Sequence, residues 1–235
     1  MKTEFVRTLF GNLTDKIKSE IQYSIKNDIE KFGFKFICYT YGEENHKYLI
    51  DRGINSIMKS KENFIYEYKF SLRHKLESYK YAAEDFDEFV HVDWDCNLTA
   101  EVPDNIFDQM RKKGEMQACL YKWHHLVGKW RARAVNIEEI KCFANTSFLY
   151  IRNKSLPQEA IKIYNDDTIT INRWRKGNDE MSISYLFDQI SGGWQGLEYW
   201  EKNFEPEYSM QGLTPVFTNK PNAVFLHDGD YENRK

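Results

Sequence analysis

The chain has 235 residues, 41% of them hydrophobic and 16% aromatic, with a formal net charge of −3. That length and apolar content can bury one large α/β domain or two small ones. The charge balance excludes a general electrostatic pull toward nucleic acid or anionic membrane, although a local basic groove stays open.

Residues 4–10 (EFVRTLF) predict a first strand, closed by Gly11 and Asn12. Thr14 and Asp15 can cap a helix whose apolar positions Ile17, Ile21, Ile25 and Ile29 recur every four residues, with Gly33 ending it. Residues 34–41 (FKFICYTY) predict a second strand, stopped by Gly42. A short helix over 43–51 and a short strand over 55–58 follow. This alternation of strand and helix predicts right-handed parallel crossovers. A helix over 70–83, with Leu72, Leu76, Tyr79 and Ala83 as its apolar stripe, leads to the most informative stretch. Lys80 lies beside that stripe, with Arg73 and Lys75 on neighbouring faces.

That stretch is 88–96 (EFVHVDWDC), a short apolar strand with Asp93 and Asp95 at its C-terminal end. Asp is depleted in strands, and an unpaired carboxylate is costly to bury. On an extended chain, residues two apart share a side. Two like charges so placed ask for a cation, and oxygen donors point to Mg²⁺ or Mn²⁺. The alternative is a solvated turn, since D-x-D is common by chance. Open α/β sheets bind their ligands at the C-terminal strand ends.

Pro103 and Asp104 open a helix expected to end near Lys113 and Gly114, before a strand over 117–120. The stretch 121–135 reads as loop or mixed structure, and its adjacent His124 and His125 suit neither a helical nor a strand ligand pair. Residues 141–151 (KCFANTSFLYI) predict a buried strand with polar Asn145, Thr146 and Ser147 in its middle. Pro157 begins a further helix. Asn178, Asp179 and Glu180 precede an apolar stretch over 181–187, and the glycine-rich run 191–196 is a loop without the dinucleotide fingerprint. Residues 223–226 (AVFL) predict a last strand, followed by His227, a candidate third metal ligand whose imidazole suits Mn²⁺ better than Mg²⁺. The tail 228–235 has little apolar material and is expected to order only over a bound ligand.

Cys38, Cys96, Cys119 and Cys142 are widely spaced, so reduced buried thiols are expected rather than a zinc cluster or disulfide framework. No run of about 18 apolar residues suggests a membrane span, and the N-terminus lacks an apolar signal core. Asn-x-Ser/Thr sequons at Asn97 and Asn145 fall in segments expected to face the site, where a glycan would block access. These features predict a cytoplasmic chain. With no internal repeat and no linker, one continuous domain is expected.

In order, VHVDWD, ANTSFLYI, NDEMSISYLF and FLHDGD resemble the motifs of nucleotide-sugar glycosyltransferases of the GT-A fold, nearest to the retaining group that includes glycogenin and bacterial galactosyltransferases. The resemblance covers most of the chain. It implies a Rossmann-like α/β domain with a mainly parallel sheet flanked by helices. Residues 1–99 would form the nucleotide-binding half. Residues 100–235 would form the acceptor half and the metal-ligand tail. By this resemblance Asp93, Asp95 and His227 would hold Mn²⁺ or Mg²⁺. Asn145 would contact the donor sugar, and Asp179 or Glu180 would lie beneath its anomeric carbon. Lys80 and Lys235 would meet the diphosphate of a UDP- or GDP-sugar. Thr8, Phe10 and Gly11, with Tyr39 and Tyr41, would frame the base, and Asp93 would also reach the ribose. Phe148 stands where the pattern has glycine, which leaves donor and stereochemistry open. The acceptor is equally open between a glycan, a protein, a lipid-linked sugar and a modified nucleobase.

Two other classes stay in view. A metal-dependent phosphotransferase or nuclease could use the same aspartates, although two-metal chemistry calls for more clustered ligands. A non-catalytic carbohydrate-binding or interaction module would rely instead on Trp194, Trp200 and Tyr208 as stacking surfaces.

Overall fold

The computed structural model describes residues 1–63, 73–122, 142–166 and 225–227, with positions 179, 182–183 and 185–186; at 113 and over 117–122, 142–145 and 225–227 only the backbone is described. Strands β1 (Thr3–Leu9), β2 (Ile37–Tyr41), β3 (Ser56–Ser60), β4 (Glu88–Val92), β6 (Met116–Lys122) and β7 (Cys142–Ile151) form a six-stranded sheet in the order β3-β2-β1-β4-β7-β6. The first four run parallel, as the alternation of elements predicts. Strand β7 is antiparallel to both neighbours, so it alone opposes the other five. The architecture is a mixed but mainly parallel α/β sheet with helices on both faces. A second ladder pairs β5 (Cys96–Leu98) with β8 (Phe225–His227).

Strand alternation sorts the core into two layers. Phe5, Leu9, Val90, Val92, Phe148 and Tyr150 face one side, where Ile21, Leu49 and Met110 from the helices α1 (Asp15–Ser24), α2 (Glu43–Ile50) and α4 (Ile106–Lys113) meet them. Val6, Tyr39, Phe89, Leu149 and Ile151 face the other, against Leu76, Tyr79 and Ala82 of α3 (Arg73–Asp85) and Leu156, Ala160 and Ile163 of α5 (Leu156–Asn165). Each such large side chain taken fully out of water contributes about 1.5–3 kcal/mol.

Three expectations change in detail. Thr14 caps α1, accepting from the Ile17 N–H, but after Ser24 the helix widens into a π-helical stretch, Ile25–Lys31, before Gly33 ends it at φ 65°. Residues 34–36 leave the ladder, although Phe34 and Phe36 stay buried in the core. The D-x-D segment is not extended. Strand β4 ends at Val92, and Asp93, Trp94 and Asp95 form a turn in which the Cys96 N–H donates to the Asp93 carbonyl at 3.1 Å. The two carboxylates therefore do not share a strand face. They stand on either side of Trp94 in this turn.

Candidate active site

Alternation along β4 places His91 on the same face as Phe89, toward α3, and Asp93 just beyond continues that side. There α3 presents Lys75 in its first described turn. Lys75 shares a stripe with Tyr79 and Ala82 at i, i+4 and i+7, so its stem is buried and its ammonium reaches the strand ends. The ammonium lies 2.7 Å from Asp93 Oδ2, 3.2 Å from Thr146 Oγ1 and 3.4 Å from Asp179 Oδ2. Thr146 also donates its hydroxyl to Asp179 Oδ2. Four side chains from four segments thus meet at one point.

A slip in the β6–β7 ladder explains how Thr146 gets there. Ala118 pairs with Leu149 but Cys119 pairs with Asn145, so the residues between are extra on β7. Such a bulge re-aims side chains and is common beside functional sites. On the other edge of β7 the Ser147 carbonyl accepts the Asp93 N–H at 2.8 Å, continuing the β4–β7 register and tying the turn to β7.

The electrostatics are those of a nearly dry pocket. The Lys75 side chain is 7% exposed, that of Asp179 0%, and that of Asp93 28%. Burial alone would lower the Lys75 ammonium, but Asp93, Tyr79 and Asp179 outweigh it and hold it well above the ordinary lysine value. His91 is pulled down to about 3 by burial, against the opposing pull of Asp93, so it is a neutral imidazole; its Nε2 lies 3.2 Å from Thr8 Oγ1. Asp179 Oδ1 is buried and has no hydrogen-bond partner among the described residues. A buried carboxylate oxygen in that state suits a site that expects a further group.

The expected site residues distribute unevenly around this centre. Asp93 and Asp179 belong to it, and Asp95 lies in the adjoining turn with Oδ1 buried. The β5–β8 register sets the His227 backbone opposite Cys96, the residue after Asp95. Asn145 lies in β7 opposite Cys119. The side chains of Asn145 and His227 lie outside the described atoms, as do Glu180 and Lys235 altogether. Among the described residues no group of three or more His, Cys, Asp and Glu side chains is arranged to hold a metal ion.

Around the end of β1, Thr8 accepts the Trp94 indole N–H on its carbonyl at 3.0 Å, and the Phe10 ring stands edge-on to His74 at 5.6 Å. Asn63 grips Gly11 at both backbone groups, accepting from its N–H and donating to its carbonyl, and Asn45 donates to the same carbonyl. Tyr41 stacks on His74 at 4.1 Å. Tyr39 points elsewhere: its hydroxyl donates to Asp85 at the far end of α3. Lys80 does not join the centre either. Its side chain is 46% exposed and its ammonium pairs with Glu84 on the outer face of α3. The ammonium that lies beside Asp93 and Asp179 is that of Lys75 rather than Lys80. Thr146 was visible only as a polar interruption of β7.

No family model and no curated protein matches the sequence. The fold does have solved counterparts. A glycosyltransferase involved in glycosylation of the major capsid of PBCV-1 superposes with a TM-score of 0.55 at 12% identity, over 97% of this chain and 92% of the other. An active-site mutant of LgtC superposes with a TM-score of 0.53 at 11% identity, over 96% and 87%. The fold is therefore GT-A-like, shared along nearly its whole length with these glycosyltransferases. No helix among the described residues is long and apolar enough to cross a membrane.

Proposed function

We propose that this chain is a glycosyltransferase that moves a sugar from a UDP- or GDP-sugar to a hydroxyl acceptor, with retention as the expected outcome and Mn²⁺ or Mg²⁺ as the metal. The observation that carries this reading is the buried Lys75 ammonium, set between Asp93 and Asp179 at the C-terminal edge of the sheet. Ligands of open α/β sheets bind at that edge.

The donor set suits a hard divalent ion. Asp93 and Asp95 offer carboxylate oxygens from one turn, and the β5–β8 register, which sets the His227 backbone opposite Cys96, supports His227 as a third ligand. A bound ion there would offset charge on the donor's diphosphate as the sugar departs. The chain's own groups would do the rest. Lys75 is a fixed cation for the leaving diphosphate, most effective because it is shielded from water. Asp179 is held by Thr146 and Lys75, and its other oxygen has no hydrogen-bond partner among the described residues, as suits a group orienting or attacking the sugar's reacting carbon. The Gly11 loop, clamped by Asn63 and Asn45, would form the wall against the base.

The test is a screen of nucleotide-sugars for Mn²⁺-dependent hydrolysis, run beside Asp95→Ala. The variant should fold and lose roughly a hundredfold or more in rate, as expected when several kcal/mol of leaving-group stabilisation goes. Wild-type turnover by Asp95→Ala in saturating Mn²⁺ would refute the metal assignment.

A further inference from the structure

We infer that the buried Arg7–Asp28 pair, with Trp94, acts as a positioning device that fixes the Asp93–Asp95 turn in its ligand-holding shape. This inference rests on the metal-site reading above. Arg7 and Asp28 both have side chains 0% exposed, and Arg7 Nη2 lies 2.8 Å from Asp28 Oδ2. Ser24 completes the cluster, accepting from Arg7 Nη1 at 2.5 Å and donating to Asp28 Oδ2 at 2.6 Å. A buried ion pair is a weak source of stability, because apolar residues of similar size do as well or better. What this pair supplies is geometry.

Its remaining bonds reach the segment that follows the aspartates. Arg7 Nη2 donates to the Cys96 carbonyl at 3.0 Å, and Asp28 Oδ1 accepts the Leu98 N–H at 2.9 Å. Asn27 donates to the Leu98 carbonyl at 2.7 Å and to Asp28 Oδ1 at 2.9 Å. Side chains thus take the part of a neighbouring strand along β5, whose ladder partner among the described residues is β8. Asn27 and Asp28 both come from the π-helical stretch, a form that recurs at functional sites.

Trp94 grips the turn from within. Its indole N–H donates to the Thr8 carbonyl at 3.0 Å, and its ring lies 4.8 Å from the Arg7 guanidinium, with Phe36 at 4.7 Å from the same carbon. Trp94 sits between the two aspartates, so anchoring it sets where both carboxylates point. Arg7 therefore holds the turn twice, through the Trp94 face and through the Cys96 carbonyl.

The experiment measures Mn²⁺ binding by electron paramagnetic resonance, in the presence of UDP and in a parallel series with GDP, together with the melting temperature of the metal-free protein. The proteins are the wild type, Asp95→Ala, the paired replacement Arg7→Met with Asp28→Leu, and Trp94→Phe. The paired replacement should remain folded while binding Mn²⁺ about ten- to a hundredfold more weakly, the loss expected when groups that orient metal ligands are removed. Trp94→Phe, which removes the indole N–H and keeps an aromatic ring, should weaken binding in the same direction. It decides the matter alone if the paired replacement does not fold. Wild-type Mn²⁺ affinity in a folded variant, whatever its melting temperature, would reduce the cluster to a core feature and overturn the inference. A wild type that binds no Mn²⁺ with either nucleotide would overturn the metal-site reading and this inference together. Binding by the wild type that the variants share would overturn this inference alone.

Discussion

Lys75→Met tests the centre most directly. Methionine keeps most of the lysine stem, so packing along α3 changes little, but the charge that Asp93 and Asp179 share disappears. Asp179 is then a fully buried carboxylate whose one ion-pair partner among the described residues has gone. Removing one member of a buried pair costs about 3–5 kcal/mol, because the other charge is left without compensation. In a chain of this size each kcal/mol moves the melting temperature by about 2–4 °C, so a fall of roughly 6–20 °C follows. The second variant separates charge from packing. Adding Asp179→Asn removes the stranded charge and keeps an oxygen for the Thr146 hydroxyl, so the double variant should regain about 2 kcal/mol or more of the loss. Urea unfolding followed by circular dichroism at pH 7 reads both. Because the Lys75 value is raised in the folded protein, its contribution is complete below the ordinary lysine value of about 10.4 and is lost only as pH rises through the folded one. The penalty should therefore be the same at pH 6 and pH 8. A single variant within about 1 kcal/mol of wild type, or a double variant no better than the single, would refute the account of a buried charge-bridging lysine.

On the proposed role, Asp179→Asn alone should bind UDP or GDP with Mn²⁺ nearly as the wild type does, yet lose about a hundredfold in kcat, the pattern of a contact made mainly in the transition state; equal losses in binding and turnover would contradict this. Lys80→Ala should change neither nucleotide affinity nor turnover more than about twofold, because its exposed pair with Glu84 is worth well under 1 kcal/mol; a Lys75-like loss would reverse the assignment of the two lysines. Ending the chain after Leu226 removes the Cys96–His227 ladder pair and the tail, and should lower the metal-free melting temperature only a few degrees while abolishing the extra stabilisation by Mn²⁺ with UDP or GDP; full retention of that stabilisation would exclude His227 and Lys235 from the site.

Much of the sheet could be read from residue pattern because burial on both faces writes apolar runs directly into a sequence. The runs at β1, β4 and β7 are of this kind, and Thr14 marks the start of α1 through its own hydroxyl. The direction of β7 could not be read, since a buried strand has the same composition whichever way it runs. The π-helical stretch was hidden because isoleucines four apart fit an α-helix, and its role shows itself through Asn27 and Asp28 reaching β5. The site was half legible. Asp93 and Asp179 stood out as carboxylates beside apolar segments. Lys75 did not, because a lysine on the apolar stripe of α3 counts as a polar interruption, and its partners arrive from elements far along the chain. Thr146 depended on a ladder slip that no local preference announces.

The β5–β8 ladder also bears on the order of events during synthesis. All six strands of the main sheet are made by residue 151, so that sheet can close on a growing chain. Strand β5 must wait for residues 225–227, more than half the sequence later. Pairing across so long a loop is slow, because the chain entropy is lost before any contact forms. An open strand edge exposed for that interval invites association with other nascent chains. Here the edge follows directly on Asp93 and Asp95, and acidic residues beside an apolar strand discourage such pairing. The two aspartates would thus guard this edge while the chain folds.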